Sequence, residues 1–324
     1  LKKKLIILIG ILITLILGYL IVDYSLFNGI KSKYINENGF QGNYFTKENI
    51  ENKTAVILIG GGDWGDYWAQ EFAQKDLVGL SLPYSGKENL PQLPEEIKLE
   101  YFENAILWLA QQKSVNPEKI VVMGTSRNAE LALLIASTYP EIISGVIAYA
   151  PSSVSWSNTV LPYNSDTIKP SWTYQGIEVP YIPMKKIKGN NTNQITFLNY
   201  WEEGLLKSDI ADNAAIKVEQ INGHVLLFSG LDDQVWPSAK MAHRIEERLK
   251  KHHFNFKLQN VKYKNAGHLI SNIPEQKSEN RLGTLNINGK TYTYNYGGTN
   301  DGDFKAKTDA KIKLTEYLLK LDAR

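Results

Sequence analysis

The sequence predicts an α/β protein: a mostly parallel sheet with helices on both faces, preceded by a single N-terminal transmembrane helix. Three observations carry this. From about Thr54 onward, short apolar runs alternate with segments of helical periodicity. The runs are nearly continuous in apolar residues, as in strands buried on both faces. Ahead of them, Leu5–Val22 is an uncharged stretch of 18 residues, close to the ~20 that cross a bilayer as a helix.

The elements follow in order. Lys2, Lys3 and Lys4 precede the apolar stretch; Asp23 and the more distant Lys31 and Lys33 follow it. The nearer positive cluster places the N-terminus in the cytoplasm and the remaining chain outside. A cleaved signal peptide is the rival reading, although no small-x-small cleavage site follows Val22. Residues 1–24 are therefore expected as a membrane anchor or signal segment, 25–53 as a linker, and 54–324 as the folded domain.

Within that domain Thr54–Ile59 reads as a buried strand ending at Gly60, Gly61 and Gly62, and Leu77–Leu82 as a second strand. Leu99–Gln112 sets Phe102, Ala105, Ile106, Leu109 and Ala110 on one helical face. Ile120–Met123 is a strand, Asn128–Tyr139 a helix and Gly145–Ala150 a strand. Val225–Ser229, the helix Ser238–Lys251, the strand Phe256–Tyr263 and a closing helix Asp309–Leu321 continue the pattern. Two stretches break it. From Pro151 to about Asn222 the chain is rich in Ser, Asn, Pro, Tyr and Trp. It is too long for a structureless loop, so an excursion with short helices is expected, one over Phe197–Ser208. Leu285–Asn295 alternates about Asn288-Gly289, a type I′ hairpin signal.

Composition excludes several function classes. The 324 residues are 43% apolar and 22% charged, an ordinary globular balance rather than a collagenous or disordered one. Lys and Arg total 36 against 34 Asp and Glu, a net charge of +2, far from the basic excess of a nucleic-acid binder. The absence of cysteine excludes a disulfide scaffold, a cysteine nucleophile, a zinc finger and a Cys-ligated cluster. No His, Asp or Glu group has convincing metal spacing, and no cofactor or metal is expected.

Three motifs carry chemistry. Gly124-Thr125-Ser126-Arg127-Asn128 lies between the Ile120–Met123 strand and a helix. That is the setting of the G-x-S-x-G nucleophile elbow of α/β hydrolases, with Asn128 in place of the second Gly. Asp232 and Asp233 follow the Val225–Ser229 strand, and Asn265-Ala266-Gly267-His268 follows the next one. The order Ser126, Asp233, His268 is the α/β-hydrolase order, and three loops at the carboxyl edge of a parallel sheet converge on one crevice. His268 is expected to take the proton of Ser126, with Asp233 orienting the imidazole and Ser126 attacking an acyl carbonyl. The oxyanion needs backbone donors: Arg127 N–H, and the turn containing Gly61, Gly62 and Asp63.

Several residues admit two readings. The Arg127 side chain contacts an anionic substrate group or orients the elbow, or else it pairs with Glu130. Trp156, Tyr163, Trp172, Tyr174 and Tyr181 line an acyl pocket or form the excursion's own core. His224, His243, His252 and His253 are expected to be structural or solvated.

The segments Leu99–Ile106, Gly124–Leu131, Pro151-Ser152-Ser153, Ser229–Asp233 and Trp236-Pro237-Ser238 together resemble one domain. It is the C-terminal catalytic domain of the acyl-CoA thioesterase / bile acid-CoA:amino acid N-acyltransferase family. The resemblance runs from about Thr54 to the end of the chain. It implies an α/β-hydrolase fold, a small-molecule acyl thioester or ester as substrate, and a triad on Ser126, Asp233 and His268. Asp233 is chosen over Asp232 because the family's acid stands third after the glycine. Asn128 departs from the family's Gly, and is expected to take an unusual backbone angle or push its helix outward, or else to bond a neighbouring loop through its amide. Residues 23–53 are too short for the N-terminal β-sandwich of the animal enzymes. The outward topology leaves an extracytoplasmic carboxylester hydrolase or acyltransferase on lipid or envelope substrates as the alternative, and a non-catalytic binding module as a third reading.

Overall fold

A computed structural model describes residues 2–27, 30, 32–158, 167–277 and 279–324. The apolar stretch is one helix, α1 (Lys2–Phe27). None of its apolar window is buried against the domain.

The expected linker is a correction. β1 (Lys33–Glu37) and β2 (Phe40–Phe45) form an antiparallel hairpin that joins the main sheet. Its turn is Asn38-Gly39, both at positive φ (53° and 81°), the dipeptide favoured by type I′ hairpins. Ile35, Phe40 and Tyr44 enter the core, each less than a tenth exposed. The remaining linker residues 28, 29 and 31 lie outside the described residues.

The alternation then runs β3 (Lys53–Ile59), α2 (Gly62–Gln74), β4 (Val78–Leu82), β5 (Ile97–Lys98), α3 (Glu100–Ala110), β6 (Val115–Thr125), α4 (Arg127–Thr138) and β7 (Gly145–Tyr149). The excursion holds β8 (Trp172–Tyr174), β9 (Ile177–Glu178), α5 (Phe197–Leu205) and α6 (Ser208–Asn213). β10 (His224–Gly230), α7 (Ser238–Lys251), β11 (Leu258–Tyr263), the hairpin β12 (Leu282–Ile287) and β13 (Lys290–Asn295), and α8 (Asn300–Asp322) complete the chain. α8 starts nine residues before the expected Asp309, capped by Thr299, whose Oγ1 accepts the Gly302 N–H at 3.0 Å.

The eight-stranded sheet has the order β1-β2-β4-β3-β6-β7-β10-β11, parallel from β4 to β11. One face packs on α3, α4 and α7, the other on α2 and α8. Ala55–Ile59 of β3 and all of β7 are buried at every position, in keeping with their unbroken apolar runs rather than alternating ones. In this topology the carboxyl ends of β3, β6, β10 and β11 share one edge, and the chain segments carrying the candidate site residues all leave from it.

The excursion has small cores of its own. Val154, Trp156, Ile182, Trp201 and Leu205 cluster with Trp236 and Met241 at the start of α7. Trp201 meets Trp156 and Trp236 edge-on at 4.7 and 5.2 Å. A second cluster joins Ile187, Ile195 and Phe197 to Ile287 and Tyr292 of the β12–β13 hairpin. Trp156 and Trp172 are fully buried, and Tyr174 packs edge-on against Tyr139. These aromatics are therefore packing residues, while Tyr163 lies outside the described residues.

Removal of residues 1–27 is expected to leave the domain's thermal unfolding unchanged. Removal of residues 1–50 strips five buried apolar side chains, Ile30, Ile35, Phe40, Tyr44 and Phe45, worth about 1.5–3 kcal/mol each, and bares the β4 edge. That truncation should lower Tm by at least ~10 °C and promote aggregation. Scanning calorimetry of both truncations checks this, and equal Tm values would contradict it.

Candidate active site

The site is built on the reversal from β6 into α4. A Cβ at Gly124 would fall 2.1 Å from the Asn128 carbonyl oxygen, so the strand and the helix that returns over it demand glycine there. Ser126 takes up the turn at φ 55°, ψ −124°, a conformation costly for a side-chain-bearing residue. Its N–H is held by Tyr149 O at 2.9 Å.

Ser126 Oγ lies 3.1 Å from His268 Nε2, and His268 Nδ1 donates to Asp233 Oδ2 at 2.9 Å. Asp233 is buried and fixed by three other donors. Oδ1 accepts from the Val235 and Trp236 N–H groups at 2.9 and 3.2 Å, and Oδ2 accepts from Ser238 Oγ at 2.7 Å. The neighbouring Asp232 is exposed. His268 begins a 3₁₀ turn, His268–Ser271. Its N–H donates to Tyr296 O at 2.8 Å, and Trp236 meets its ring edge-on at 6.1 Å. Among the described residues no group of three His, Asp or Glu side chains is placed to hold a metal ion.

Residues that motif reading did not single out hold the histidine loop. Gly267 N–H donates to Asp303 Oδ1 at 2.7 Å. Arg281 pairs with Asp303 and also bonds Gly297 O. Burial pushes the Asp303 carboxyl upward, while Gly267, Arg281 and Lys307 oppose it. Asp303 sits in the first turn of α8; Thr299 followed by Asp301 and Asp303 is a helix-start signal that could have located it.

The candidate oxyanion donors divide. Gly61 N–H donates to Leu58 O at 3.3 Å, which removes it from the expected set. Its own place is fixed by φ +56° and by Pro83 N, which a Cβ would approach to 2.6 Å. Gly62 and Asp63 open α2, and Arg127 opens α4. First-turn amides have no acceptor within their own helix, so these three remain candidates.

The Arg127 side chain does not face the crevice chemistry. Nη1 pairs with Glu130 at 2.5 Å, and Nη2 donates to Ser171 Oγ, Trp156 O and Ser157 O at 2.5, 3.3 and 3.3 Å. Glu130 is fully buried and also accepts from Trp172 Nε1 at 2.9 Å and Trp156 N–H at 3.1 Å. Burial pushes its carboxyl pKa up, and Arg127 and the other donors pull it back. The ion-pair reading of Arg127 is the observed one, and the pair ties the excursion to the elbow helix.

Asn128 corrects the expectation of backbone strain. It is helical and absent from the positive-φ residues; the unusual angle falls on Ser126. Its Oδ1 accepts from Tyr84 OH at 2.7 Å. Its amide lies over Gly60, where a Cβ would come within 2.2 Å of Nδ2. Gly60 thus makes room for the side chain, and Asn128 braces the turn that leads to Gly62 and Asp63. Asn128→Gly is expected to lower, several-fold, the rate at which a fluorophosphonate labels the serine, because that turn loses its packing partner and Tyr84 its acceptor. A faster rate in stopped-flow or gel-based labelling would contradict this.

The comparisons with known proteins agree with this architecture. A family model described as BAAT / Acyl-CoA thioester hydrolase C terminal matches residues 97–321. Human acyl-coenzyme A thioesterase 6 is 27% identical over 269 residues, covering 82% of this chain and 59% of the relative. Mouse acyl-coenzyme A amino acid N-acyltransferase 2 is 25% identical over 245 residues, covering 75% of this chain and 55% of the relative. The chain thus spans little more than half the length of these curated relatives. Among solved structures, a dienelactone hydrolase-like promiscuous phosphotriesterase from metagenomic libraries superimposes with a TM-score of 0.54 at 10% identity, covering 90% of this chain and 99% of that one. An alpha/beta hydrolase enzyme from a Medee basin deep-sea metagenome library gives 0.50 at 15% identity, with 91% and 99% covered. With the family model matching more than half of the chain, on the α/β-hydrolase fold these structures share, the chain belongs to the BAAT / acyl-CoA thioester hydrolase C-terminal family.

Proposed function

We propose that the chain is a serine acyl hydrolase that works through an acyl-enzyme. The observation that carries this is the unbroken hydrogen-bonded line from Ser126 through His268 to Asp233, at 3.1 and 2.9 Å. His268 Nε2 takes the Oγ proton as Ser126 attacks the acyl carbonyl. Asp233, acceptor-only and held by three other donors, fixes the imidazole tautomer and stabilises the imidazolium. We assign the developing oxyanion to the amides of Arg127, Gly62 and Asp63, the first-turn donors left without an acceptor in their own helices. Collapse of the tetrahedral intermediate breaks the bond to the leaving sulfur or oxygen, which receives the proton from His268. Water, deprotonated by His268, then attacks the acyl-Ser126 ester and regenerates the serine.

The relatives named acyl-coenzyme A thioesterase favour a thioester as the leaving-group class. The alternative is a carboxylester, or transfer to an acceptor other than water, and the observation favouring it is α1. We read α1 as a single membrane span with the N-terminal lysines inside, which places the domain away from the cytoplasmic CoA pool. The unstrained seat of Asn128, the elbow's departure from the family's Gly, speaks against a non-catalytic binding module.

Ser126→Ala is expected to fold normally and to lose several orders of magnitude of turnover on p-nitrophenyl esters and acyl-CoAs. Asp233→Asn should cost on the order of 10⁴, and Asp232→Asn far less. Near wild-type hydrolysis by Ser126→Ala, or the reverse ranking of the two aspartates, would sink the assignment.

The topology has its own check. In intact cells the domain should be digested by added protease. Protection until lysis would place it in the cytoplasm and make acyl-CoA the leading substrate.

A further inference from the structure

The hairpin that replaces the expected linker also fixes where α1 joins the domain. Lys33 pairs with Tyr44, Tyr44 with Leu80, Leu80 with Ile57 and Ile57 with Val122. β1 runs in the same direction as the parallel strands and starts level with the middle of β4, so the chain ahead of it comes from the side of their N-terminal ends. Ile30, three residues earlier, is 1% exposed in the cluster that holds Phe45, Phe72 and Leu77. Phe45 is the last residue of β2 and pairs with Gly79 near the start of β4; the cluster runs the full height of that face to Ala266 and Ile270, so it is the direction of β1 that puts Ile30 toward the edge opposite the carboxyl ends of the strands. Ser126, Asp233 and His268 all leave from that other edge.

Two lengths decide what this allows. From Val122, level with Lys33, Ser126 lies four residues further along the strand direction, roughly 13 Å at ~3.3 Å per residue. It also lies four strands across the sheet, roughly 19 Å at ~4.8 Å per strand. The excursion adds to this height, because its core packs on Trp236 and Met241 at the same edge as Asp233. Against that, α1 ends at Phe27 and the chain is buried again at Ile30. Three Cα steps span at most about 11 Å whatever their conformation. From Val22, the last residue of the apolar stretch, to Phe27 the helix rises about 8 Å, of which headgroups take roughly 5–8 Å. Ile30 therefore stays within about 14 Å of the headgroup surface. Turning the crevice toward the bilayer would lift the level of Lys33 by the height of the strands above it plus the excursion, roughly 25 Å or more if the excursion adds one helix diameter. The tether is too short.

We propose that α1 holds the N-terminal edge of the sheet against the bilayer, so that the Ser126 crevice opens away from it and takes acyl esters or thioesters dissolved in the aqueous phase, not acyl lipids of the membrane that anchors the chain. This rests on reading the chain as an acyl hydrolase and α1 as a membrane span. It narrows the substrate class to water-borne acyl compounds.

The test uses the full chain in phosphatidylcholine vesicles. The sequence has no cysteine, so single dansyl labels can be placed through Glu118→Cys, exposed near the start of β6, and Leu206→Cys, exposed on the excursion. Nitroxide-headgroup lipid should quench the first label several-fold and leave the second nearly unchanged. Stronger quenching at position 206 would overturn the orientation. In parallel, turnover of water-borne p-nitrophenyl butyrate is compared with that of p-nitrophenyl palmitate dissolved in the same vesicles. A flexible 25-residue insertion between Phe27 and Ile30 should raise the vesicle-borne rate several-fold and leave the butyrate rate unchanged. Equal vesicle-borne rates with and without the insertion would overturn the substrate class. Absence of turnover on both esters would instead overturn the acyl-hydrolase reading, and the substrate class with it, while quenching still decides the orientation.

Discussion

The close approach of β6 and α4 is the constraint from which the rest of the site follows. With only a hydrogen at Gly124 between strand and helix, the chain reverses within two residues and Ser126 absorbs the strain at positive φ. The start of α4 then reaches in three directions. Ser126 meets His268, Arg127 and Glu130 enter the excursion, and Asn128 braces Gly60 and Tyr84. Tyr84 and Trp172 also meet edge-on at 5.6 Å, which closes the circuit between the two sides of the elbow. A serine held in a strained turn needs such over-determination, since the strain persists only where surrounding contacts enforce it.

Asp233 and His268 are held with equal care from the other side. Asp233 accepts four hydrogen bonds, which satisfies a buried carboxylate that would otherwise be costly. The histidine loop hangs on Asp303 at the start of α8 and on Tyr296 at the end of the β12–β13 hairpin. The last quarter of the chain thus acts as the support of His268.

Much of this was legible in the sequence because it depends on local rules. The strand Gly145–Tyr149, the helix Ser238–Lys251 and the turn Asn288-Gly289 each announce themselves by an apolar run, a periodic face or a turn dipeptide. The triad candidates were legible because strand ends in a parallel sheet converge. What escaped depends on contacts across the fold. The 25–53 segment was read as a linker since its strands are short and polar, although Asn38-Gly39 carried the same signal as Asn288-Gly289. The sequence leaves Asn128 open between strain and a bond to a neighbouring loop, because its seat depends on Gly60 and Tyr84, far away in the chain. Gly61 was counted as a donor because its bond to Leu58 is a property of the turn and not of composition. The start of α8 was missed because its first turn, with Asp301, Gly302 and Asp303, lacks an apolar periodicity.

If the Ser126–His268–Asp233 line works as proposed, it activates one serine among the many in the chain. The direct measurement is intact-mass and peptide-mapping analysis of the wild-type chain after reaction with a fluorophosphonate. The account predicts one adduct per chain, confined to the peptide bearing Ser126, and none after unfolding beforehand. No adduct on the folded chain, or an adduct on another serine, would contradict it.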